Sequence, residues 1–246
     1  MSISIQSPRA IVFCLLSLLF FVGCARHDSA RDIFERGRQK YDNQDWNGAV
    51  ADFTLVIQLE PNFAVYANRA LAERQLNKLD DAIFDCNHAI ELNPTNSLLY
   101  SDRGFLEYKK GNLDAAIADY SKAIELDPTD ATAYCDREIA KLKKGDWDGA
   151  IADCNKAIEF NPKYALAYND RGWAKFQKND FNAAIADATH SIQLSSTNGH
   201  AYGTRGWARY GKGDVVGAVE DCKKAIELSK PNSSEIYYDL EHILFR

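Results

Sequence analysis

The stretch YSDRGFLEYKKGNLDAAIADYSKAIELDP, residues 100–128, decides how the chain is read. It holds two helical patterns separated by KKGN, residues 109–112. The stretch returns as YCDREIAKLKKGDWDGAIADCNKAIEFNP from Tyr134 and as YNDRGWAKFQKNDFNAAIADATHSIQLSS from Tyr168. YGTRGWARYGKGDVVGAVEDCKKAIELSK follows from Tyr202, and the spacing is 34 residues each time. Looser copies precede, near Ile33 and Tyr66, which makes six. A fixed period of this length marks a stacked repeat, each unit burying its apolar face against the next.

Counting Tyr100 as position 4 puts all six copies in phase. Position 20 is always alanine: Ala49, Ala82, Ala116, Ala150, Ala184 and Ala218. Position 8 is small in five copies (Gly37, Ala70, Gly104, Gly172, Gly206) and is Glu138 in the fourth. Two antiparallel helices approach closely only where side chains are small, so these positions mark the crossing within each pair. Pro61, Pro94, Pro128 and Pro162 stop the second helix of copies one to four, since proline cannot continue it.

This pattern resembles the tetratricopeptide repeat family. The resemblance implies an all-α, right-handed solenoid superhelix of six helix-turn-helix units. Their expected bounds are residues 30–62, 63–96, 97–130, 131–164, 165–198 and 199–232, with the array ending near 231. A capping helix over 233–246 would cover the apolar end of the stack. The chain departs from the family at several places. Tyr stands at position 4 in most copies where Trp is usual, Arg stands at position 7 for Leu, and a charged residue stands at position 11 for Tyr.

Position 7 is arginine throughout, as Arg36, Arg69, Arg103, Arg137, Arg171 and Arg205. Position 23 is aspartate throughout, as Asp52, Asp85, Asp119, Asp153, Asp187 and Asp221. Both fall near the contact of the two helices, where an unpaired ion is very costly. One structural Arg–Asp ion pair per repeat is expected, within a copy or across to its neighbour.

Cys86, Cys154 and Cys222 share position 24 and lie two repeats apart. Helices packed about 8–10 Å apart separate such points by about 20 Å. A disulfide needs Cα atoms within about 7 Å, so these cysteines are read as core filling. Cys135, at position 5, is read as a half-buried groove residue. Five histidines occur with no metal-ligand spacing, so no metal and no cofactor is expected. No catalytic set is found, and the chain is not expected to be an enzyme. A net charge of −6 with scattered Lys and Arg argues against a nucleic-acid partner.

In the resembled family, one face of the first helix lines a concave groove. Positions 9 and 12 share a helix face and supply Phe105, Tyr108, Ile139, Leu142, Trp173, Phe176, Trp207 and Tyr210 as candidate binding residues. Position 6 adds an acidic file, Asp102, Asp136 and Asp170, read as solvated or at the groove edge, with Asn169 beside it. The apolar residues equally suit packing between neighbouring first helices, and the sequence leaves both readings open. Trp46 and Trp147, at position 17, are read as core. The family's co-chaperone clamp for a C-terminal carboxylate is not carried over. Asn68 matches one clamp position, while Phe34, Arg38, Leu98 and Asp102 fill the others.

The N-terminus differs from the rest. IVFCLLSLLFFV, residues 11–22, is too short for a bilayer, which takes about 20 residues, and fits the apolar core of an export signal. FVGC, residues 21–24, resembles a bacterial lipobox. That resemblance implies a signal over 1–23, acylation of Cys24, a short tether over 24–29 and attachment to a membrane through the lipid. An ordinary signal peptide or an N-terminal anchor remains open. The expected role is a non-catalytic adaptor of the cell envelope, on the periplasmic face of an outer membrane if two membranes exist. It would bind a basic or apolar protein or peptide. A regulator or subunit of an envelope enzyme or assembly machine, and a self-associating solenoid, are the alternatives.

Overall fold

The computed structural model describes residues 28–228. The proposed signal, Cys24 and the capping helix over 233–246 lie outside them. Twelve helices and no strand occur among the described residues. They are α1 (Ala30–Asp42), α2 (Trp46–Leu59), α3 (Phe63–Gln75), α4 (Leu79–Leu92), α5 (Ser97–Lys110) and α6 (Leu113–Leu126). The series continues with α7 (Ala131–Lys144), α8 (Trp147–Phe160), α9 (Ala165–Gln177), α10 (Phe181–Leu194), α11 (Gly199–Gly211) and α12 (Val215–Leu228). The architecture is an all-α helical repeat, one hairpin per copy. The chain divides after Pro61 into two compact units. The first holds the α1–α2 hairpin, and the second stacks five hairpins, α3–α4 to α11–α12, in file.

The turn inside each hairpin is set by one residue. Position 15 has positive φ in all six copies: Gln44, Asn77, Gly111, Gly145, Asn179 and Gly213. Glycine and asparagine enter this left-handed region at low cost, which explains the KKGN and KKGD spelling. Gln44 adopts it with φ 64°. Asp45, Asp146, Asp180 and Asp214 then cap the second helix, each carboxylate accepting from a backbone N–H three residues on.

The helix crossing is tight at position 8. A methyl group on Gly104 would sit 3.0 Å from the Tyr120 ring, and one on Gly37 would sit 2.8 Å from Phe53. Bulk at position 24 is therefore accommodated by the absence of a side chain at position 8. Copy four inverts the arrangement, with Glu138 at position 8 and the smaller Cys154 at position 24. Cys86, Cys154 and Cys222 are almost fully buried in the core, each in its own copy. Trp46 and Trp147 are half-buried rather than core. They lie at the start of the second helix beside the solvated turn, and Trp46 meets Tyr41 edge-on at 4.8 Å.

Each position-7 arginine grips the position-23 aspartate of its own copy through two parallel bonds. Nε donates to Oδ2 at 2.7–2.9 Å and Nη2 donates to Oδ1 at 2.6–2.9 Å. From copy three onward, Nη1 reaches the preceding copy's second helix. Arg103 donates to Asn87, Arg137 to Ser121, Arg171 to Asn155 and Arg205 to Thr189. The position-4 tyrosine faces the same guanidinium at 5.3–5.9 Å in copies two to six. One side chain thus ties a hairpin together and ties it to its predecessor.

Position 11 sharpens this arrangement. Lys40, Lys141, Lys175 and Arg209 add a second cation to the aspartate of their copies, at 2.7–2.9 Å. Copies two and three place Glu73 and Glu107 there instead. Glu73 is 6% exposed, and its Oε2 has no hydrogen-bond partner. Burial and then nearby Asp85 push its carboxyl from the ordinary value near 4.5 to about 7. The folded state therefore holds this proton more tightly than the unfolded chain. Stability from this group is full below about pH 4.5 and is lost as pH rises through 7. Glu73→Lys, which copies repeats one, four and five, is expected to raise the urea midpoint at pH 8, with the gain shrinking towards pH 5. An unchanged difference across that range would contradict the assignment.

Candidate functional site

Helix spacing brings positions 2, 5, 9 and 12 of the first helix to one face. Where α5, α7, α9 and α11 stand side by side, this face holds a cleft of about 500 Å³. Tyr108 comes from α5, and Ile139, Leu142 and Lys143 come from α7. Leu166, Asn169, Asp170 and Trp173 come from α9, and His200 comes from α11. Ile139 and Leu166 are more than 40% exposed, well above what packing alone requires of such side chains.

The candidate residues divide into three groups. Tyr108, Ile139, Leu142, Asn169, Asp170 and Trp173 line the cleft. Phe176, Trp207 and Tyr210 continue beside it as a run of rings. Trp173 to Phe176 is 5.3 Å, Phe176 to Trp207 is 6.2 Å and Trp207 to Tyr210 is 6.3 Å. The Phe176–Trp207 contact joins α9 to α11, so this part of the strip packs one copy on the next. Phe105 lies outside the cleft, with Arg74 and Lys109 both 5.2 Å from its ring. Lys143 stands 4.8 Å over Tyr108 at one side of the cleft.

The acidic file is not solvated. Asp102, Asp136 and Asp170 are half-buried, and burial is the leading cause that raises each carboxyl above its usual range. Position 6 turns towards the preceding hairpin, which is why burial reaches it. Among the described residues, the Asp170 side chain accepts one hydrogen bond, from Asn169 Nδ2 at 3.0 Å. Asn169 is itself buried and accepts from Thr204 Oγ1 at 2.9 Å. Both ends of this amide are engaged, one across to α11, so it positions Asp170.

Near Asp170 lies Glu138. It is 3% exposed, and its Oε1 has no hydrogen-bond partner. Burial, then Asp170 and Asp153, push its carboxyl strongly up. Cys135 is half-buried and hydrogen-bonded to Tyr164, and burial raises its thiol to about 11. Such a thiol holds little thiolate near neutral pH and is a poor nucleophile. Among the described residues, no group of three or more His, Cys, Asp or Glu side chains is arranged to hold a metal ion.

Leu166 and His200 were not singled out from the sequence. Both sit at position 2, three residues before position 5 on the same face. Extending the face one turn towards the helix N-terminus would have found them.

Comparison with known proteins places this geometry. A family model described as "TPR repeat" matches residues 104–137 and 140–179, and one described as "Tetratricopeptide repeat" matches residues 64–96. The chain carries tetratricopeptide repeats. Among solved structures, the tetratricopeptide array resembles MamA at 27% identity and a TM-score of 0.63, over 68% of this chain and 91% of that one. It also resembles YrrB, titled a TPR protein with an unusual peptide-binding site, at 19% identity and a TM-score of 0.64, over 76% of this chain and 96% of that one. A repeat protein from Cytophaga hutchinsonii gives a TM-score of 0.70 at 22% identity, over 85% of this chain and 84% of that one. The latter two likenesses show the fold alone. Among curated proteins, the STIP1 homolog of Dictyostelium discoideum is 36% identical over 66 residues, or 26% of this chain and 12% of that protein. Hsp70-Hsp90 organizing protein 2 of Arabidopsis thaliana is 37% identical over 60 residues, 24% of this chain and 10% of that protein. The matches therefore span about a tenth of these relatives' length.

Proposed function

We propose that the chain is a non-catalytic adaptor of the cell envelope, binding a protein or peptide in the cleft on α5, α7, α9 and α11. Tetratricopeptide proteins mediate protein–protein interaction, and YrrB is described as having a peptide-binding site. The observation that carries the reading is the cleft itself. Its apolar walls are left open between stacked helices, and Ile139 and Leu166 stand exposed within it. Apolar and aromatic side chains in such a setting are the usual anchors of an interface. The family's co-chaperone clamp is not part of this reading, because Asp102 and Leu98 occupy clamp positions in this sequence.

The envelope location rests on residues 11–24, where the apolar run and FVGC precede the repeats. No described helix is long and apolar enough to cross a membrane. Attachment would come through acylated Cys24. Cys24→Ser is expected to shift the protein from the membrane to the soluble fraction of cells. Equal membrane retention would contradict the lipid anchor.

A photo-crosslinking residue placed at Leu166 in living cells is expected to trap a defined partner. The same residue at Phe84, which is exposed on α4, is expected to trap none. Trapping at Phe84 alone would overturn the groove reading.

A further inference from the structure

The cleft has one feature that the repeat pattern does not require. In five copies position 8 is glycine or alanine, and in the fourth it is a buried glutamate with an unpartnered oxygen. The charged groups acting on Glu138 are the carboxylates of Asp170 and Asp153. Asp153 is already held by Arg137 and Lys141. Asp170 is not held by any arginine or lysine among the described contacts, and it lines the cleft. Asp170 therefore opens on the apolar walls of the cleft, with the buried Glu138 close enough for the two carboxyls to act on each other. An unpaired buried charge is costly, and a cation delivered from outside would relieve it.

We propose that this cleft receives a lysine or arginine side chain of the bound segment, its cationic head at Asp170 near Glu138. The aliphatic stem would lie along Leu166 and Ile139, as long basic side chains do on apolar surface. Trp173 supplies an aromatic face for the cation. Lys143 does not fill the place, because it sits over the Tyr108 ring. Charge complementarity thus selects a basic residue flanked by apolar ones, and rejects a C-terminal carboxylate. This assignment rests on the groove reading above.

Acidity should modulate the contact. Facing the carboxyl pair are Asp153 and Cys154 from α8, Cys135 from α7, Tyr164 ahead of α9, and His200 from α11. Burial keeps protons on the pair, and a bound cation favours their release. Binding therefore weakens as pH falls and protons return to the pair.

The test uses the full chain in detergent and five arrays of random heptapeptides, differing in a fixed central residue. That residue is arginine, lysine, citrulline, norleucine or glutamate. The arginine and lysine arrays are expected to bind at least tenfold more strongly than citrulline. Binding should strengthen several-fold from pH 5.5 to 7.5. Asp170→Asn should erase the preference, and Glu138→Gly, which restores the residue of other copies and so tests a folded protein, should reduce it. Equal binding by the citrulline array, or a preference for glutamate, would overturn the proposal while leaving a peptide groove in place. Binding by none of the five would overturn both.

Discussion

The structure depends on a guanidinium closed on a carboxylate in every hairpin. An Arg–Asp fork combines charge with fixed geometry, which a leucine at the same place could not supply. The aspartates are almost entirely out of solvent, and the arginines of copies two to six are largely so. A buried ion pair is a weak source of net stability, but losing one partner leaves a charge that costs about 3–5 kcal/mol. The fork therefore acts mainly as a specifier. It admits one register between the two helices. Its third nitrogen repeats that choice against the preceding copy.

Fixing the stack this way has a consequence for function. The second helices and the hairpin crossings absorb the arginines, the aspartates and the small residues. What remains on the first helices is an outward face whose side chains vary between copies. Tyr108, Ile139, Leu142, Leu166 and Trp173 form a cleft because four first helices are held side by side, not because the sequence contains a local binding motif. Towards the last copies the same face closes into ring-on-ring packing through Phe176 and Trp207. The open part of the groove is thus centred on α7 and α9.

Much of this was legible in the sequence. The 34-residue phase identifies both helices of each copy, the crossing at positions 8 and 20, and the cysteines that fill the core. The arginine and aspartate rows announce a charge pairing, though not whether it closes within a copy. Position 11 reads as a mere departure from pattern, because the sequence does not show that its cation shares an aspartate with position 7. The acidic file reads as solvated or at the groove edge, since nothing in the periodicity reveals that position 6 turns against the preceding hairpin. Glu138 stands out as a broken rule. Its effect depends on Asp170 arriving from the next copy, and only the stack brings them together.

The fork's role is tested most directly by a double-mutant cycle on Arg137 and Asp153. Arg137→Met, Asp153→Leu and the double variant would be compared with the parent by urea unfolding. The account predicts that each single change destabilises by about 3 kcal/mol or more, and that the double change costs far less than their sum, as for a closed buried pair. Additive losses, with no coupling between the two positions, would contradict it.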